Sequence, residues 1–251
     1  MTMSARPRPP EACADCRLRH TAGFQPVTDE ELVCIQAFRS STRAVRAGRA
    51  VIAELSNPVN LFTLYAGWAF RYKTLSDGRR QILNFLLPGD FIGLQAEFAN
   101  TATHGVEALT DVQLCVFPQS GLWDFVRSNP KLGYDITWLS ASGEQVVDEN
   151  LVTVGQRNAA ERIATLLIRL ARRAERAGLV DGEGSFEFPL TQQHIADALG
   201  LSLVHTNKTL RRLSQLGLHA IRDGRLRIAR ADALAQLADY AARPLRAQPL
   251  I

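Results

Sequence analysis

The chain predicts an α+β fold: an N-terminal antiparallel β-roll, one long helix and a C-terminal winged helix-turn-helix. Three observations predict it. From about Arg43 to Pro118 short apolar runs alternate with turn signals, and beyond Pro118 apolar residues recur at helical spacing. The segment Leu190–Leu213 then reads as two short helices around a sharp turn, followed by an Asp-Gly hairpin. The boundaries fall at 1–28 for a tail containing a C-x-x-C, 29–130 for the roll, 131–155 for the long helix and 156–251 for the helix-turn-helix unit.

At 251 residues, 46% hydrophobic and 22% charged, the chain has material for two modest soluble domains. Met1 to Pro10 is polar and proline-rich, with no apolar run suited to a signal peptide. No later stretch reaches the roughly 18–20 apolar residues of a membrane helix. A cytoplasmic protein without a membrane partner is expected, with Cys13, Cys16, Cys34 and Cys115 kept reduced. The net charge of +4 is unevenly spread: from Gln156 onward 15 Lys/Arg face 9 Asp/Glu, whereas residues 1–155 hold 14 against 16. A basic C-terminal part suits nucleic acid, although chance asymmetry would produce the same count.

In chain order, Thr28 and Glu31 form a capping-box pattern that starts a helix over about Asp29 to Phe38. The roll follows in the runs Ala50–Leu55, Leu61–Ala66, Ala69–Leu75, Arg80–Leu87 and Val112–Phe117. Asp77-Gly78 between two of them signals a tight hairpin, because glycine tolerates the positive φ such turns demand. Gly121–Ser128 reads as a short helix ended by Asn129-Pro130. Leu132, Ile136, Leu139, Val146 and Val147 then mark a long helix over about 131–154, whose stripe faces either a partner helix or its own barrel. Ala159 to Ala177 predicts another helix, with Ile163, Leu166, Leu167 and Leu170 inward and Gly178 closing it.

Function is concentrated in Leu190–Leu213. Thr191 caps a first helix that buries Ile195 and Leu199, Ala196 permits a close helix crossing, and Gly200 supplies the left-handed turn. Ser202 caps the second helix, with Leu203, Thr206, Leu210 and Leu213 as its inward stripe. Thr206 and Thr209 stand where such helices usually bury Val, Ile or Leu. The other faces carry Val204, His205, Asn207, Lys208, Arg211 and Arg212, a hydrogen-bonding and cationic surface suited to base edges and phosphates in a major groove. Thr191 and Gln192, at the start of the first helix, are further candidate DNA contacts. Ala220–Ile228 alternates around Asp223-Gly224 as a β-hairpin wing, and Arg225 is its candidate phosphate contact. The plainer alternative is an αα-hairpin with a solvated basic face.

Two other function classes remain in view. A cupin-type metalloenzyme with an accessory helical domain would need clustered histidines in the roll, where only His104 lies. No Ser/His/Asp set, P-loop or dinucleotide glycine motif appears, so no enzyme is expected. A protein-interaction module would show no salt-dependent DNA binding.

Nearly the whole chain resembles the Crp/Fnr family of regulators. The resemblance is carried by Gly67-Trp68-Ala69-Phe70-Arg71-Tyr72, Asp77-Gly78-Arg79-Arg80-Gln81-Ile82, Leu87-Pro88-Gly89-Asp90-Phe91-Ile92-Gly93 and Leu190–Leu213. It implies a cyclic-nucleotide-binding-like jelly roll as sensor, a dimerisation helix at 131–155, and a homodimer on a palindromic operator. It also implies RNA polymerase as a partner and Leu203, Val204, Asn207 and Lys208 as base-reading positions. Family members often place Arg or Glu at the first two of these, so a different operator sequence is implied.

The resemblance also frames the signal. The cyclic-nucleotide branch holds ribose and phosphate through Gly-Glu and Arg-Ser, and Gly93-Leu94 and His104-Gly105 stand at those positions. With both charged groups absent, cyclic AMP is not expected as ligand. The oxygen-sensing branch binds an iron–sulfur cluster, and Cys13, Cys16 and Cys115 match three of its cysteines. A further ligand would fall at Ala22, leaving Asp15, His20 or Cys34 as substitutes. Zinc on Cys13, Cys16 and His20, or an inert pair on a flexible tail, are the alternatives.

Overall fold

The computed structural model describes residues 6–95, 101–241 and 246–251; the remainder of the expected tail, roll and C-terminal unit lies outside the described residues. The roll is built of two four-stranded antiparallel sheets. One is ordered β1 (Ser41–Val45), β8 (Val112–Pro118), β3 (Asn60–Ala66) and β6 (Phe91–Ile92); the other is ordered β2 (Ala50–Ile52), β7 (Gly105–Ala108), β4 (Ala69–Thr74) and β5 (Arg80–Leu86). Their inner faces bury Val51, Ile52, Phe62, Leu64, Val106 and Leu114. Gly78, at φ 85°, turns β4 into β5 as the Asp-Gly signal requires. Strands β1, β6 and β7 escaped the sequence reading for physical reasons. Four of the five β1 residues are exposed, β6 is two residues long, and both are held only by pairing to distant strands.

Helix α1 (Asp29–Phe38) starts at the expected capping box, with Thr28 Oγ1 accepting from Glu31 N and Thr28 N donating to Glu31 Oε2. After α2 (Leu122–Ser128), the long α3 (Pro130–Gln156) divides the two alternatives for its stripe. Its first turns bury Leu132 and Ile136 against Phe38, Phe117 and Phe125 of its own roll. Its last turns leave Val147, Leu151 and Val152 exposed. Helix α4 (Ala159–Arg176) buries Ile163, Leu167 and Leu170, and Leu166 is half-buried.

The N-terminal segment is not a loose tail. Cys13–Asp15 and Arg17–His20 form 3-10 turns, and Cys13, Leu18 and Phe24 are buried. What pins it is the other end of the chain. Residues 246–251 return to the roll: Phe24 and Gln248 pair in parallel, Gln248 Nε2 donates to Gly89 O at 3.0 Å, and Thr63 Oγ1 donates to Ile251 O at 2.7 Å. Leu250 and Ile251 are each 4% exposed. These six residues therefore sit with the roll, away from the unit with which the sequence reading grouped them, because two apolar side chains fill the space beneath the cysteine segment.

Candidate nucleic-acid interface

Helices α5 (Gln192–Leu199) and α6 (Leu203–Gln215) form the helix-turn-helix. Thr191 Oγ1 accepts from His194 N at 3.2 Å and Ser202 Oγ accepts from His205 N at 3.2 Å, satisfying amides that helix starts leave open. Gly200 sits at φ 61°, a left-handed conformation that carries a penalty for any residue with a Cβ. Ile195, Ala196 and Leu199 are buried from α5.

One part of the expected stripe on α6 is corrected. Leu203 is 45% exposed, and Thr209 takes the inward place beside Thr206, Leu210 and Leu213. Leu203 lies in the first turn, short of the surface that α5 covers. The Thr206 hydroxyl is buried with no partner among the described residues. Thr206→Val removes that unmet group without changing volume, so urea denaturation is expected to show a gain of about 1–2 kcal/mol. Equal or lower stability would mean that the hydroxyl has a partner.

Ser202, Leu203, Val204, His205, Asn207, Lys208, Arg211 and Arg212 are all exposed, as are Thr191 and Gln192. Val204, Asn207, Lys208 and Arg211 follow the i, i+3, i+4, i+7 spacing of one helix face. That face is free of the rest of the molecule. The helix beside it is not: α5 lies on β5, where Gln81 Nε2 donates to Ala198 O at 3.2 Å, and the His194 ring is 5.6 Å from that of Phe70 on β4.

The wing comprises β10 (His219–Arg222) and β11 (Arg225–Ile228), joined through Asp223 and Gly224 at φ 50° and 71°, a type I′ turn. A third strand, β9 (Ser185–Glu187), pairs with β11 and was missed because three residues carry no readable alternation. This strand changes the role of Arg225. Its guanidinium donates to Asp181 Oδ2 at 2.5 Å and to Ser185 Oγ and O at 2.8 and 3.0 Å. Hydrogen bonds from the Ser185 backbone, with that guanidinium's help, pull the Asp181 carboxyl down to about 2. Arg225 thus braces the loop before β9. Arg222 and Arg227, exposed and without an ion pair among the described residues, are the cations the wing presents. The sequence signal for them was the same arginine density that pointed to Arg225.

In the roll, Cys13, Cys16 and Cys115 line one pocket with Arg19, Arg39, Leu250 and Ile251. Burial pushes the Cys13 thiol up and the Cys115 thiol up to about 11, against the opposing pull of Arg39. Arg19 keeps Nε and Nη1 buried without partners among the described residues, and burial lowers its pKa. A negative group would suit that guanidinium, yet the donors do not complete a metal site. The fourth position is Ala22, Asp15 and His20 are exposed, and Cys34 does not line that pocket. Among the described residues no three His, Cys, Asp or Glu side chains group closely enough to hold a metal.

At the positions that would hold a cyclic nucleotide, Leu94 offers no carboxylate and His104 is buried. Burial, with Arg71 and Lys73 nearby, lowers the His104 pKa to about 4, so it is neutral near pH 7 and supplies no counter-charge to a phosphate.

Among the described residues no helix is long and apolar enough to cross a membrane. Residues 42–129 match the cyclic nucleotide-binding domain family and residues 161–237 match the Crp-like helix-turn-helix domain family. The chain is 30% identical over 223 residues to the transcriptional activator protein FnrL of Cereibacter sphaeroides, covering 88% of this chain and 89% of that one. It is 26% identical over 229 residues to the fumarate and nitrate reduction regulatory protein of Escherichia coli, covering 91% and 90%. The fold matches FixK2 from Bradyrhizobium japonicum with a TM-score of 0.71 at 24% identity, covering 81% of this chain and 98% of that one. These relatives are regulators of transcription rather than enzymes. With a jelly roll, a long helix and an uncovered recognition helix in one chain, this protein belongs to the Crp/Fnr family of DNA-binding transcription regulators.

Proposed function

We propose that the chain is a sequence-specific regulator that binds a palindromic operator as a homodimer and answers to a signal other than cyclic AMP. The observation that carries this reading is the exposed α6 face of Val204, Asn207, Lys208 and Arg211, held rigidly by its buried side. Asn207 and Lys208 can donate to base edges in the major groove, and Leu203 and Val204 can meet thymine methyl groups. Arg222 and Arg227 are placed on the wing to meet phosphates. The uncovered Val147, Leu151 and Val152 on α3 support a second copy of the chain as the partner that covers them. Contact with RNA polymerase is consistent with the family.

Selection from random duplex DNA, followed by binding measured at several salt concentrations, tests this reading. A two-fold symmetric site and a dimer by sedimentation are expected. Lys208→Ala should weaken the selected site by about 1–3 kcal/mol. Arg227→Ala, present in both protomers of the dimer, should flatten the salt dependence by about 1.8 in log–log slope, and Arg225→Ala should leave that slope unchanged. No salt-dependent DNA binding at all would overturn the assignment in favour of a protein-interaction module.

The cysteine pocket gathers Cys13, Cys16 and Cys115 with no fourth donor, an arrangement that favours a roll without an iron–sulfur cluster. Protein purified without oxygen is expected to be colourless and free of iron and zinc. A brown protein with near-stoichiometric iron would reverse that reading and make the roll an oxygen or redox sensor.

A further inference from the structure

Where the roll meets the DNA-binding unit, four half-buried arginines gather, and positive charge exceeds negative. Arg169 and Arg173, one turn apart on α4, line a cavity shared with Asn84 of β5 and with Asn150 and Thr153 of α3. No carboxylate lines it among the described residues. Behind it stand two further arginines. Arg71 on β4 pairs in register with Asn84, and its Nε is buried without a partner among the described residues. Arg176 lies three residues beyond Arg173, and its side chain has neither hydrogen bond nor ion pair among the described residues. Burial lowers the pKa of Arg71, Arg169 and Arg176, and the charge of Arg173 lowers each further. Glu149 supplies opposite charge to Arg169, and Asp90 answers Arg71, Arg173 and Arg176. The Asp90 carboxylate pairs with Arg173 and accepts from Leu87 N at 2.8 Å.

Guanidinium groups are rarely retained inside a protein without anions, because desolvation is tolerable only when opposite charge and hydrogen bonds replace water. Planar, multidentate donors of this kind are matched best by phosphate oxygens. Asn84 Oδ1 accepts from Arg173 Nη1 at 3.2 Å, and Thr153 Oγ1 donates to Glu149 O and accepts from Arg157, so among the described residues Asn84 Nδ2 is the amide donor left to a ligand on this wall. The geometry points to a binding site for a small phosphate-type oxyanion in the cavity between β5, α3 and α4, held by Arg169 and Arg173 and favoured by the field of Arg71 and Arg176. The site differs from the nucleotide position at Gly93 and His104, because its cations come largely from the DNA-binding unit.

The location ties occupancy to geometry. Arg169 Nη1 already donates to Asn150 Oδ1 at 2.8 Å, Asn150 Nδ2 donates to Leu83 O at 2.6 Å, and Arg173 Nη1 donates to Phe85 O at 2.6 Å. An anion there would bind roll, long helix and DNA-binding unit into one body and fix where α6 stands. That regulatory consequence rests on the DNA-binding reading above; the site itself does not.

The probe is inorganic phosphate against sodium chloride at equal ionic strength, using the full chain without DNA. Millimolar phosphate is expected to raise the wild-type Tm by about 2–4 °C, with one phosphate per chain by titration calorimetry. Arg169→Met should abolish the shift. If that variant does not fold, Arg71→Met should bind phosphate about tenfold more weakly while melting no lower than wild type in chloride. No wild-type shift, or an equal shift in the folded variants, overturns the site, since either result leaves only a general salt effect. Operator binding is then measured separately with the same protein. Its absence alongside intact phosphate binding would refute the regulator reading and leave the anion site standing.

Discussion

Replacing Asp90 with alanine is expected to destabilise the protein by about 3–5 kcal/mol in chloride buffer. Asp90 and Arg173 are both 15% exposed in their side chains, so their charges have little water to fall back on. The carboxylate also accepts the Leu87 amide and closes the Pro88-Gly89 turn. Removing it leaves Arg71, Arg173 and Arg176 crowded together with no counter-charge and separates the roll from α4 electrostatically. Asp90→Asn keeps the hydrogen bond and removes the charge, so the difference between the two variants divides the loss between geometry and charge. Both are read by denaturant unfolding. A loss under about 1 kcal/mol for Asp90→Ala would show that water screens this junction as it does a surface pair.

Acidification from pH 7 to 4 is expected to remove about 3 kcal/mol of stability through His104 alone. Its pKa is about 4 in the folded chain against 6.5 for the free side chain, chiefly from burial and secondarily from Arg71 and Lys73. Between those values the unfolded chain binds the proton and the folded chain does not. Stability is therefore complete above pH 6.5 and is lost as pH falls toward 4. Burial shifts His194 and His219 in the same direction, which steepens the same window. Urea unfolding of wild type and His104→Gln across this range should diverge, the variant losing the smaller amount. Parallel curves would mean that His104 is hydrated and charged in the native state. The experiment also bears on the signal, because a neutral imidazole at this position brings no counter-charge to a nucleotide phosphate.

Much of the functional face was legible from the chain. Thr28, Thr191 and Ser202 cap helices where a hydroxyl precedes an apolar period, and Asp77-Gly78 and Asp223-Gly224 turn hairpins where positive φ is required. These features are decided within a few residues, so periodicity and turn chemistry recover them. The exposed side of α6 follows directly, since a helix with four buried positions leaves the others to solvent.

Local pattern failed wherever a partner far along the chain made the choice. Strands β1, β6 and β9 are too short or too exposed to show alternation and exist through pairing. Arg225 looked as available as Arg222 and Arg227 until Asp181 and Ser185, about 40 residues away, were found against it. Cys13 and Cys16 were matched to Cys115 by resemblance, but only packing revealed that Arg19, Arg39 and the returning Leu250-Ile251 share their pocket. By itself the sequence determined the helix-turn-helix, its wing and the composition of the exposed side of α6, because short-range sterics and capping govern them. Only the tertiary structure decided which arginines are spoken for, which lie half-buried at the junction of the two domains, and where residues 246–251 come to rest. Charge pairing and burial depend on neighbours that the order of residues does not reveal.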